Sequence, residues 1–391
     1  MVNKECNYLI YIIRSVLNNQ EVIYQEDIDY KKLYNLAKIH TLLVFLYYGL
    51  KKYHIPTLSK ILEDYYKNNI YKTAMQDAEK EIIVAELEKN HIKYMPLKGS
   101  IIKYLYPSID LRTMCDFDCL FDKSKAKEVK KIFLNLGYEV ESYNNSNHDI
   151  YIKKPFMTVE MHKELMNDSY MISRYYHSIW NNVSKADNKE YEYEMTKEDF
   201  YVFMIAHLAK HYVGGGAGIR NFIDIYLFNK NYINLNKEYI NAELENLGLL
   251  TFDKYARELS LVWFEEKESN ENIDKFAESI FESGIYGTVD QNVLKRICFN
   301  EEEINNLEES KIKFFFRRLF PTKQYMKQAF PILNEKPYLL LYFYLKRIFT
   351  LKSKLSRAKA EMKSFQKITQ EDKEKVKDLH NKLGVKNKLW K

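Results

Sequence analysis

The chain has 391 residues, 46% hydrophobic and 29% charged, with a net charge of +6. The length predicts two or three units, each able to bury a core, and the composition excludes a disordered or fibrous chain. Only 11 Gly and 7 Pro favour long helices over many tight-turned strands, and the four cysteines (Cys6, Cys115, Cys119, Cys298) form neither a zinc pattern nor a disulfide framework.

Residues 1–90 read as helix. Leu9, Ile12, Ile13 and Val16 fall at helical spacing, and Leu33, Leu36, Ala37, Leu42, Leu43 and Phe45 form a second apolar set. Leu58 to Asn90 has no Gly or Pro and suits one or two long helices. The start of the chain is too polar for a signal peptide, with Arg14 breaking the short apolar run behind it.

From His91 the period changes. Ile92, Tyr94, Met95 and Leu97 predict a short strand that ends in Lys98-Gly99-Ser100 and hands over to a helix. Strands are also predicted over 115–121, 138–143, 149–153 and 158–165, with an amphipathic helix over 125–136 stopped by Gly137. Residues 91–195 are therefore expected to form an α/β unit with a small mixed sheet.

Helices resume after Thr196-Lys197-Glu198-Asp199, an N-cap followed by acidic residues. One carries His207 and His211. The glycine run 214–218 follows, and the next helix carries Arg220 and Asp224. Residues 196–310 read as a helical unit and 311–391 as a basic helical segment. From Lys311 to Lys391, 22 Lys and Arg face 6 Asp and Glu, whereas the rest of the chain has 38 against 48. Such a split suggests an anionic partner for this segment; the plainer reading is solvated helices with basic outer faces. The longest purely apolar run, Tyr338 to Leu345, is far short of the ~20 residues that span a bilayer, although 338–354 has the character of a membrane-surface helix. A cytoplasmic location is expected.

Asp116 and Asp118 carry the strongest chemical signal. In a strand they share one face, where two carboxylates repel and call for a cation. Mg²⁺ takes such oxygen ligands together with substrate phosphates, and paired ions need bridging carboxylates. Glu160, between Val159 and Met161, is the third candidate ligand, with Asp149 in reserve. At Lys98-Gly99-Ser100 a glycine allows close approach of backbone to phosphate, while Ser and Lys offer a hydroxyl and a charge; the plainer reading is a tight turn. Arg112 reads either as a phosphate contact or as the partner of a carboxylate, and His162 shares a strand face with Glu160. His207 and His211 lie one turn apart, but the H-E-x-x-H zinc pattern is missing. Arg220 and Asp224 read first as an intrahelical ion pair, with the glycine run second as a flexible loop over phosphate.

Together, Leu97-Lys98-Gly99-Ser100, Leu111-Arg112 to Asp116-Phe117-Asp118, Val159-Glu160-Met161-His162, His207-x-x-x-His211 and Arg220 to Asp224 resemble the poorly characterised bacterial nucleotidyltransferase family of the DNA polymerase β-like superfamily. The match is firm over 90–230 and weaker to about 355, around Arg318-Leu319-Phe320-Pro321 and 337–347. The resemblance implies an α+β fold and a transferase that moves an NMP from an NTP to an acceptor hydroxyl, releasing pyrophosphate. It implies two Mg²⁺ (or Mn²⁺) on Asp116, Asp118 and Glu160, and nucleotide contacts from Lys98, Gly99, Ser100, Arg112, His162, His207, His211, Arg220 and Asp224. The acceptor stays open among a small molecule or sugar, a protein and RNA. Lys98 before the glycine is similar to toxin-type relatives, so an enzyme that modifies tRNA or protein to halt growth is the alternative. A non-catalytic NTP-binding scaffold is the third, although a scaffold needs no carboxylate triad.

Overall fold

The computed structural model describes residues 3–56, 58–167, 171–285, 320–330, 332–350 and 363–385, with isolated positions 287, 290, 293, 294, 316 and 361. Cys298, Phe314, Phe315, Arg318, Leu319 and 351–354 lie outside the described residues.

Four helices open the chain: α1 (Lys4–Leu17), α2 (Tyr30–Ile39), α3 (Leu43–Leu50) and α4 (Leu58–Lys89). The breaker-free stretch forms one helix of 32 residues rather than two, about 48 Å long at 1.5 Å per residue. The sheet follows, with β1 (Tyr94–Pro96), a single helical turn α5 (Gly99–Ile102), β2 (Phe117–Phe121), α6 (Ala126–Asn135), β3 (Glu139–Ser142), β4 (His148–Lys153) and β5 (Met157–His162). A two-stranded ribbon, β6 (Val183–Lys185) and β7 (Tyr193–Met195), leads into α7 (Lys197–Gly214), α8 (Ile219–Asn231), α9 (Lys237–Asn246), α10 (Leu250–Glu265) and α11 (Glu271–Ser283). The fold is α+β, as expected: mostly helix around a small mixed sheet.

Strand order is β1-β2-β5-β4-β3, antiparallel except for the central β2–β5 pair. Alternation sorts the side chains of β2 and β5 between two cores. Phe117, Cys119, Phe121, Val159 and Met161 pack with Ile83, Val84 and Leu87 of α4 and Phe133 of α6. Leu120, on the opposite face, belongs to the large helical core. Asp118 and Glu160 share that second face, and so look toward α7 and α8. Asp149 alternates to the first face, fully buried, where its Oδ1 accepts from Lys163 Nζ at 2.9 Å and Asn144 N at 2.7 Å. Its reserve place among the cation ligands is therefore withdrawn.

α7 is apolar on almost every side and runs through the helical core. Thr196 caps it, its hydroxyl accepting from Asp199 N at 3.0 Å. The glycine run after it is a packed corner, with Gly215 at φ +116° and residues 215–218 buried. A Cβ on Gly218 would stand 2.9 Å from Ile285 Cβ. This replaces the flexible loop that was the second reading: Gly218 is required by close packing and Gly215 by its left-handed turn.

Candidate active site

Asp116 lies one residue before β2, and Asp118 is directly opposite Glu160 across the parallel β2–β5 pair. His162, two residues after Glu160, is opposite His148 of β4. These side chains line one wall of a cavity of about 390 Å³. His207, Lys210 and His211 of α7 and Arg220 of α8 line it from the helical half. Lys98 reaches in from the β1–α5 turn, and its Nζ donates to Asp118 Oδ1 at 2.8 Å. His162 Nε2 stands 2.7 Å from the same oxygen. The Lys98 backbone is left-handed at φ +50°, a conformation that costs an L-residue energy and recurs at functional sites.

The charges are unevenly balanced. Burial and the neighbouring Asp118 and Glu160 push the Asp116 carboxyl up to about 6. Burial works the same way on Asp118, but the Lys98 ammonium and His162 outweigh it and hold that carboxyl well below the usual range. Glu160 is also lowered, chiefly by His162 and against burial. Burial, with Lys98 and Lys210 nearby, lowers His211 to about 3 and takes His207 well below its ordinary value. Burial and the nearby Lys98 bring Lys210 down to about 8, against the opposing pull of Asp118 and Glu160. The helical wall thus presents neutral imidazoles, and the sheet wall holds surplus negative charge. Asp116, Asp118 and Glu160 supply the hard oxygen donors that a divalent cation takes, and the raised Asp116 marks the charge it would relieve.

A family model described as an uncharacterised nucleotidyltransferase matches residues 26–265, which take in the sheet, the cleft and α7 to α10. The chain belongs to this nucleotidyltransferase family. No curated protein and no solved structure gives a significant match.

The tertiary structure of this nucleotidyltransferase redistributes several expected contacts. Arg112 takes the carboxylate option: its Nε and Nη2 each donate to Asp224 at 2.8 Å, and Tyr106 Oη donates to Asp224 Oδ1 at 2.6 Å. The expected Arg220–Asp224 ion pair is replaced, because Arg220 Nη1 donates to the Thr113 carbonyl at 2.7 Å. Gly99 lines the cavity, and a Cβ there would be 3.2 Å from Arg112 Nη1. Ser100 is buried behind it, its hydroxyl donating to the Leu97 carbonyl at 2.8 Å. His207 and His211 line the cleft with their Nε2 atoms 3.1 Å apart.

Two basic lining residues, Lys210 and His148, were not among the expected ones. Lys210 lies between the two histidines, and with Met204, His207 and the exposed His211 it interrupts the buried residues in the middle of α7 on the side facing the cavity. That interruption is readable as the break in an apolar helix. His148 is not readable in this way, because its place depends on the β4–β5 register.

Proposed function

We propose that this nucleotidyltransferase moves the NMP of an NTP onto an acceptor hydroxyl and releases pyrophosphate. The observation that supports this most directly is the pairing of Asp118 with Glu160, Asp116 two residues upstream, at the wall of a 390 Å³ cavity. That volume falls within the roughly 300–1,000 Å³ of small-molecule sites. Asp116, Asp118 and Glu160 would hold Mg²⁺, with Mn²⁺ as a substitute. When bound, the ions supply Lewis-acid stabilisation of the phosphoryl oxygens.

The chain's own groups do the rest. Lys98, Lys210 and Arg220 bring positive charge to the triphosphate, which favours the charge pattern of phosphoryl transfer. Neutral His207 and His211 offer hydrogen bonds instead. Gly99 keeps the turn open for backbone contact, and Arg112, bound to Asp224, fixes the approach to Asp116 rather than gripping phosphate itself. Glu160 stays ionised beside His162 and helps to draw the proton from the acceptor hydroxyl. Phe203, Met204 and Ile225 provide apolar surface for the base.

The test is label transfer from each of the four α-³²P NTPs with Mg²⁺ in a bacterial extract, comparing wild type with the Asp116→Ala/Asp118→Ala double variant. Transfer by wild type alone, with the label running with RNA, protein or a small molecule, is expected and identifies the acceptor class. Equal labelling by both proteins would overturn the reading.

A further inference from the structure

We infer that β4 and β5 build a nitrogen-rich cation site, suited to Zn²⁺, from His148, Glu160 and His162. Each residue offers one ligand atom, and the three atoms lie within 4.8 Å of one another. His162 Nε2 is 3.5 Å and His148 Nε2 3.7 Å from Glu160 Oε2. Both separations are too long for good hydrogen bonds. They are close to the edge of a zinc coordination tetrahedron: bonds of about 2.0–2.2 Å to imidazole nitrogen and carboxylate oxygen put ligand atoms roughly 3.3–3.6 Å apart. The two imidazole nitrogens, within 4.8 Å of each other, would draw together around the ion to close the site.

The backbone already sets this geometry. His148 and His162 are a directly opposed cross-strand pair, and Glu160 follows on the same face of β5. The His162 ring is buried, and its Nδ1 has no hydrogen-bond partner among the described residues, so Nε2 is the nitrogen it offers. That Nε2 now hydrogen-bonds Asp118, and it would exchange this bond for the ion. His148 and Glu160 remain part-exposed toward the cavity, which leaves room for a fourth ligand, water or a substrate oxygen. Two imidazoles and one carboxylate with an open position is a zinc ligand set, whereas Mg²⁺ favours oxygen donors alone. The site shares Glu160 with the proposed Mg²⁺ cluster but needs neither Asp116 nor turnover.

Co²⁺ titration of the full-length, metal-stripped protein, followed by visible absorption, tests this directly. One equivalent of Co²⁺ should give the intense bands of a four-coordinate ion, be displaced by one equivalent of Zn²⁺, and survive a large excess of Mg²⁺. His148→Ala and His148→Gln should each weaken Co²⁺ binding at least ~10-fold while circular dichroism stays unchanged, and His207→Ala should leave it intact. The proposal falls if no stoichiometric Co²⁺ binds, if Mg²⁺ displaces it at equal concentration, if both His148 variants bind as wild type, or if binding depends on His207. Asp116→Ala separates the two readings, since it should abolish label transfer without moving Co²⁺ affinity.

Discussion

Asp116 and Asp118 stand two residues apart, yet their surroundings shift them in opposite directions. Asp116, at about 6, keeps its proton in the folded chain over a range where the unfolded chain has released it. Its contribution to stability is therefore full below about pH 4 and lost as pH rises through 6. In the metal-free protein at pH 8, Asp116→Asn should raise stability by about 1–3 kcal/mol. Asp118 is lowered, so its contribution is present above the ordinary carboxylate pKa and lost on acidification. Asp118→Asn should destabilise, because Lys98 and His162 lose their buried partner. Urea melts in EDTA at pH 8 read both signs, and a stabilised Asp118→Asn would refute the assignment. Both variants should lose label transfer by at least ~10²-fold. The buried Arg112–Asp224 pair makes a separate prediction. Asp224→Ala strands a guanidinium that is 8% exposed, at a cost of about 3–5 kcal/mol in the same melts. The carboxylates were legible in the sequence because each interrupts an apolar alternation. The partner of Arg112 was not, because it lies 112 positions away on another helix.

At the scale of elements, the cleft depends on how α7 turns into α8. His40 Nδ1 accepts from Ile219 N at 3.3 Å, Ile285 N donates to the Ile39 carbonyl at 3.1 Å, and Gly218 packs against Ile285. Together these contacts fix the start of α8, and with it Arg220. Gly218→Ala forces a 2.9 Å contact and should cost about 1–3 kcal/mol. It should also raise the KM for NTP, because Arg220 is two residues away. Thr196→Ala removes the cap at the far end of α7 and should cost about 1 kcal/mol with KM unchanged. If Gly218→Ala lowered stability but left KM alone, the corner would have no role in positioning Arg220. α7 itself was legible from its cap and period. The flexible loop offered as the second reading of its glycine run is a packed corner at Gly218 instead, because composition does not distinguish a glycine that moves from one that is packed.

Over the whole molecule, the large helical core reaches beyond the family-matched region. Leu379, Leu383 and Val385, in and just after the helix over Gln370–Lys382, belong to the same core as α1 and α8. His380 stacks edge-on to Tyr212 of α7, with ring centroids 5.5 Å apart. Leu383→Ala, at a fully buried position, should cost about 2–5 kcal/mol in a urea melt of the full-length chain. A change within error would mean that this segment rests on the surface instead. Part of the basic segment is therefore structural. Its charged face is the remaining candidate for an anionic partner, to be read as a salt-dependent loss of binding.

By itself the sequence determined most of the helices and the five strands of the central sheet, though not the β6–β7 ribbon, and singled out the three candidate carboxylates, because periodicity and the cost of a charge in an apolar strand are local properties. The tertiary structure decided what those carboxylates meet. It turned Asp149 away from them and set Ser100 against the Leu97 carbonyl. It gave Asp224 to Arg112, and brought His148, Lys210 and Lys98 to one cavity. These are outcomes of strand register and helix packing, in which groups tens of residues apart compete for the same buried partner. No local pattern carries the result of that competition.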